Sequence, residues 1–165
     1  QMMTITINKM QSLQIIDASS IVEWVFSSAA ADLYTQHFVW DILFDTLDLC
    51  ELDISQARAK LEAVEREVRS LKNASTADDS SENTEQLALK EANVASLRGT
   101  YDEKQQIIKD AMLMVFQHFS AVLNARLSEQ GRRDESWILA STSRFLQIGR
   151  KVLYLLVLLR FSDEI

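Results

Sequence analysis

Three aspartates, Asp41, Asp45 and Asp48, form one candidate set of chemistry-bearing side chains in this 165-residue sequence. On a helix, spacings of four and three stack carboxylates along one face. Acid–base pairs and divalent-metal sites use such a face, and the di-metal carboxylate sites built on helices add a Glu-x-x-His motif or histidines at ligand spacing. None follows, so the trio reads as a solvated face. His37, His118 and Cys50 are the other candidates. A Cys–His nucleophilic pair would require two long helices to bring their ends together. Cys50 falls on an apolar stripe, which favours a buried, inert thiol. Serine, histidine and aspartate all occur, without a Gly-x-Ser-x-Gly elbow. No glycine-rich phosphate loop occurs either. The sequence assigns no catalytic, cofactor-binding or metal-ligating residue and no cofactor, and it leaves the binding residues open.

The stretch "IVEWVFSSAAADLYTQHFVWDILFDTLDLC", Ile21 to Cys50, also holds two of the three tryptophans. Trp24, Phe26, Phe38 and Trp40 recur at the spacing of core positions on helices, which favours a core over a ligand pocket.

Composition narrows the function classes. The net charge is −7 and no segment is strongly basic, which argues against charge-driven nucleic-acid binding. A single cysteine excludes an intrachain disulfide and a cysteine-based zinc cluster, and fits a reducing compartment. No signal peptide is visible. The run "VLYLLVLL", Val152–Leu159, is far short of the roughly 20 residues that span a bilayer, and reads as a buried helix without membrane contact. With no proline and three glycines, the chain favours long helices. Both ends look cut, so the chain is expected to be a piece of a larger protein.

The elements follow from periodicity. "TINKMQSLQII" reads as a short amphipathic helix through Ile7, Met10 and Leu13. Ser20 with Glu23 is a capping-box pattern that predicts a second helix from near Ile21 to Phe26. Thr35 is a candidate cap for a long helix beginning near His37. From Ile54 the seam Ile54, Ala57, Leu61, Val64, Val68, Leu71 alternates three and four, as in a coiled coil. Glu62–Arg66 and Glu65–Arg69 are expected i,i+4 pairs. "NASTADDSSENTE", Asn73–Glu85, lacks large apolar residues and reads as a flexible tip. Leu87, Val94, Leu97, Tyr101 and Ile108 then resume the seam, with Lys90 and Lys104 between them, and predict an antiparallel return. Beyond Ile107 the apolar positions spread around the helix, as they do where it enters a core. "SEQGRRDES" reads as a loop, with Asp134 or Ser136 capping a last helix. The expected fold is all-α. A helical body of residues 1–53 and 108–165 carries a coiled-coil arm of residues 54–107, whose tip is 73–85.

Several of these segments resemble a known family. Lys9-Met10, Ile15-Ile16-Asp17, Trp24-Val25-Phe26-Ser27-Ser28 and Phe38-Val39-Trp40-Asp41-Ile42-Leu43 resemble the last MIF4G-type helical-repeat domain of nuclear cap-binding complex large subunits. Val115-Phe116-Gln117-His118-Phe119 and Trp137 continue the likeness in order, after a charged coiled-coil excursion. The ending "LLRFSDEI" departs from the pattern. The resemblance implies a MIF4G/HEAT-like α-solenoid piece with a long protruding antiparallel coiled-coil hairpin. It also implies a non-enzymatic scaffold that acts in the nucleus and shuttles to the cytoplasm. Such a scaffold supports a small RRM subunit that holds the 7-methylguanosine cap, so it meets capped RNA indirectly. It recruits splicing, export and decay factors. The alternative is another MIF4G or HEAT-type scaffold, from translation initiation or nonsense-mediated decay.

Overall fold

The structure, a computed structural model, describes residues 2–27, 29–30, 33–34, 36–75, 81–130 and 135–162. Among the described residues every regular element is helical: α1 (Met2–Ser12), α2 (Ala18–Val25), α3 (His37–Ser75), α4 (Ser81–Gln130) and α5 (Glu135–Ser162). None of these helices is long and apolar enough to cross a membrane.

The helix ends show why the chain folds this way locally. After α1 the Ile15 amide donates to the Met10 carbonyl at 2.9 Å and the Gln14 amide to the Gln11 carbonyl at 2.8 Å. Those two bonds make a Schellman closure, and Gln14 sits in its left-handed position with φ 57°. α2 is capped by Asp17, which accepts the Ser20 amide at 2.7 Å. The expected capping box at Ser20 is therefore corrected. Asp17 is the stronger N-cap because its carboxylate also answers the helix dipole, so the helix starts three residues earlier than Ile21. Between α2 and α3, successive i to i+3 bonds close tight turns: Ala30 to Ser27, Leu33 to Ala30 and Gln36 to Leu33. Thr35 and Asp134 lie outside the described residues. Ser136 falls inside α5 and does not cap it.

Two compact units share the long helices: Gln1–Leu49 with Ile108–Ile165, and Cys50–Ile107. In the first, the core is built from Ile21, Val22 and Val25 of α2, Trp40, Leu43 and Leu47 of α3, Ile108, Val115 and Phe119 of α4, and Ile148 of α5. α1 contributes no fully buried residue, and Leu13, expected on its apolar face, is 58% exposed. Its ties are polar: Asn8 donates to Asp45 at 2.7 Å, and Gln11 donates to the Thr46 carbonyl at 3.3 Å. The buried-helix expectation for Val152–Leu159 is corrected at Leu153, which is 65% exposed. The other side chains of that run lie outside the described residues.

In the second unit the seam positions Ile54, Leu61 and Val68 of α3 and Tyr101 of α4 are buried, the alternate seam positions Ala57, Val64 and Leu71 are half-buried, and most of the residues between them are exposed. Ion pairs cross between the two helices: Asp53 with Lys104 at 2.9 Å, Glu65 with Arg98 at 2.7 Å and Glu67 with Lys90 at 2.7 Å run in opposite sequence order, and Lys72 pairs with Glu91 at 2.6 Å beside the last of them. Being exposed, each contributes at most about 1 kcal/mol, and together they fix register more than stability. Within α3, Glu65 does pair with Arg69, at 3.9 Å. Glu62 takes Arg58 at 2.7 Å as its ion-pair partner, while Arg66 Nε donates to the Glu62 carbonyl. α3 runs to Ser75 and α4 starts at Ser81, so the expected tip at 73–85 is helical at both margins, and 76–80 lie outside the described residues.

Candidate functional site

Many of the aromatic residues of the first unit form one connected cluster. Phe26 stacks on His118 at 6.0 Å and leans on Tyr34 at 6.1 Å. Tyr34 meets Trp40 at 5.9 Å and Trp137 at 6.0 Å. Trp40 reaches Phe119 edge-on at 6.4 Å, and Phe119 stacks on Phe145 at 3.9 Å. Trp40 is 2% exposed, and its indole donates to the Tyr34 carbonyl, so this ring is core. Trp24 is only half-buried, as is Trp137, which lies under the Arg126 guanidinium at 5.2 Å.

A groove of about 330 Å³ opens beside this cluster, between the start of α3 and α5. Tyr34, His37, Trp40, Ser143, Arg144 and Gln147 line it. No carboxylate among the described residues does. Arg144 donates to His37 Nδ1 and to Gln147 Oε1. A guanidinium only donates, so this contact needs the neutral imidazole with its proton on Nε2. The Tyr34 hydroxyl is buried and has no hydrogen-bond partner among the described residues, and burial pushes its pKa up to about 12. The groove is rich in donors and suits a ligand that brings acceptors. No hydrogen bond joins His37 to Ser143 among the described residues, so no activated nucleophile is set up there.

The sequence-derived candidates are dispersed. Asp45 accepts from Asn8 and Asp48 pairs with Lys151 of α5, while Asp41 is exposed. The Lys151 pKa is lowered by burial, against the opposing pull of Asp45. No group of three His, Cys, Asp or Glu residues among the described residues is placed to hold a metal. The two histidines have different neighbours: His37 meets Arg144, and His118 lies on Phe26. Burial and the nearby Asp53 push the Cys50 thiol up to about 11, with Lys104 pulling the other way. That keeps it protonated at neutral pH, the reverse of an activated nucleophile. The groove residues on α5 gave no signal in the sequence, because they meet Tyr34 and His37 only across about a hundred residues of chain.

Comparison with known proteins adds the lineage. The chain is similar to nuclear cap-binding protein subunit 1 of Gallus gallus, 27% identical over 128 residues, which covers 77% of this chain and 16% of that protein. It is similar to the Homo sapiens protein of the same name, 30% identical over 127 residues with the same coverage of each. Subunit 1-B of Xenopus laevis is 23% identical over 128 residues, again 77% of this chain and 16% of that protein. The chain thus spans a small part of the length of these relatives. The profile of the MIF4G-like family matches residues 1–154, nearly the whole chain, and the chain belongs to that family.

Proposed function

We propose that this chain is a non-enzymatic scaffold segment of a nuclear cap-binding large subunit. It works on capped RNA through a small RRM subunit and does not touch the cap itself. The observation that carries this reading is the family match over residues 1–154, together with similarity to cap-binding subunit 1 across 77% of the chain. The site chemistry supports it. The thiol is held protonated, Asp45 and Asp48 are engaged by Asn8 and Lys151, and His37 is engaged by Arg144. Residues 1–53 and 108–165 serve as the helical-repeat body. Residues 54–107 serve as an antiparallel coiled-coil arm, a reading supported by the cross-helix ion pairs and the buried seam. The assembly acts in the nucleus and shuttles to the cytoplasm, and it recruits RNA processing, export and decay factors.

A pull-down with the full-length protein tests this. Co-purification of a small RRM protein and of capped, but not uncapped, RNA is expected. Retention of neither would overturn the reading.

A further inference from the structure

α5 turns an almost uncharged face outward. Leu139, Leu146 and Leu153 are 71%, 58% and 65% exposed. They lie seven residues apart, two helical turns each, and so form one line along the helix. Ser136, Ala140, Ser143, Gln147 and Arg150 complete the exposed face. A helix face that meets only water ordinarily carries charges of both signs. Among the described residues of this face Arg150 is the only charge and no acid accompanies it. The other described cations of α5 are engaged, Arg144 by His37 and Gln147, and Lys151 by Asp48.

The stripe is continuous with the groove. Ala140, Ser143 and Gln147 belong to both. The groove contributes the Arg144 guanidinium and the Tyr34 hydroxyl, with no carboxylate among its described lining residues to answer them. Apolar knobs, an unanswered cation and a donor-lined cleft thus share one side of one helix. A second copy of the chain would set like faces together, bringing Arg150 to a surface with no acid among its described residues, so charge disfavours self-pairing.

We propose that this face of α5 docks an acidic amphipathic helix of a partner protein. Apolar side chains of that helix seat along Leu139, Leu146 and Leu153, and its carboxylates meet Arg150 and enter the groove at Arg144. This mode needs one apolar stripe and one charge sign on each side. It rests on exposure and charge, and is independent of the cap-binding reading.

Fluorescence anisotropy with the full chain tests it. The probe is a labelled synthetic helix of about 18 residues, with leucine at its heptad core positions and glutamate at the flanks. A second probe carries lysine in place of glutamate. The acidic probe is expected to bind and the lysine probe not to. Leu146→Glu should weaken binding by at least about tenfold, as loss of a central anchor does. Arg150→Glu should also weaken it. Leu113→Glu, at an exposed leucine of α4, should leave it unchanged, and circular dichroism should show all three variants folded. The proposal is overturned if the acidic probe fails to bind at about 100 μM, a free energy too small for specific docking. Equal binding of both probes, or indifference to Leu146→Glu, overturns it as well. So does a chain that sediments as a dimer and dissociates on Leu146→Glu, since the occupant would then be a second copy.

Discussion

The Trp40 indole Nε1 donates to the main-chain carbonyl of Tyr34 at 2.7 Å, inside the core. This bond ties the first turn of α3 to the chain that leads into it. Trp40→Phe keeps an aromatic ring and leaves a buried carbonyl without its donor, which costs about 1–3 kcal/mol. Trp40→Ala also opens a cavity and should cost about 3–5 kcal/mol. Urea denaturation of the two variants measures both. A Trp40→Phe protein as stable as wild type would show that the bond does not hold the entry to α3.

Two backbone positions should respond in opposite ways. Gln14 occupies the left-handed region, where an L side chain costs roughly 1–2 kcal/mol, so Gln14→Gly should stabilise by up to about 1 kcal/mol. Gly99 sits within α4, and a Cβ there meets nothing within 4 Å. Gly99→Ala should therefore stabilise by about 1 kcal/mol through helix propensity alone. Thermal unfolding of each variant checks the sign.

The cap of α2 gives a pH signature. The Ser20 hydroxyl and amide hold the Asp17 carboxyl below its ordinary value of 3.8. A depressed carboxyl contributes stability that is present above the unfolded value and fades as pH falls through the folded one. Asp17→Ala should cost about 1 kcal/mol near neutrality, the usual worth of an N-cap. The gap between wild type and variant should narrow below about pH 4, once the carboxyl protonates. Denaturant melts at pH 3 and pH 7 decide it, and a gap independent of pH would assign the loss to something other than the charged cap.

How much of this was legible beforehand depends on whether a feature is periodic or assembled. The seam positions Ile54, Leu61, Val68 and Tyr101 were readable because burial along a helix repeats with the helix. Trp40 was readable as core for the same reason. Trp24 was read as core too, but its ring remains half-buried, because periodicity selects a face and not a depth. Ser20 with Glu23 matched a capping pattern, yet Asp17 three residues earlier takes the role, since any Ser, Thr, Asp or Asn ahead of an apolar run competes for it. Glu62 pairs with Arg58 and leaves Arg66 to its carbonyl, a choice between neighbours that spacing alone leaves open. The groove was not legible at all. Tyr34, His37 and Arg144 become neighbours only through packing.

Cys50 should be a slow thiol. Its pKa of about 11, against an ordinary value near 9.0, leaves about a hundredfold less thiolate at pH 8. Reaction with Ellman's reagent should slow by about that factor relative to an unperturbed cysteine, because the thiolate is the nucleophile. Asp53→Asn removes the carboxylate that helps raise the pKa and should speed the reaction, whereas loss of the Lys104 charge should slow it further. A thiol that reacted at the ordinary rate would reopen the nucleophile reading of Cys50.

The isolated chain should not bind a methylated cap tightly. Cap recognition requires aromatic rings free to sandwich a base and polar groups to read its edge. Here Trp40 and Tyr34 are 2% and 3% exposed, held by each other and by Phe119 and Trp137. The half-buried face of Trp137 is met by Arg126, and the net charge of −7 repels a triphosphate bridge. Fluorescence titration with a cap analogue should therefore give no submicromolar affinity for the chain alone. On the proposed function, affinity should appear when a small RRM subunit and the remainder of a large subunit are present. It should persist when the segment between about Ile54 and Ile107 is shortened, because that segment contributes none of these rings. Submicromolar binding by the chain alone would place a cap site in it. Loss of affinity in a shortened, folded assembly would place the Ile54–Ile107 segment in cap recognition.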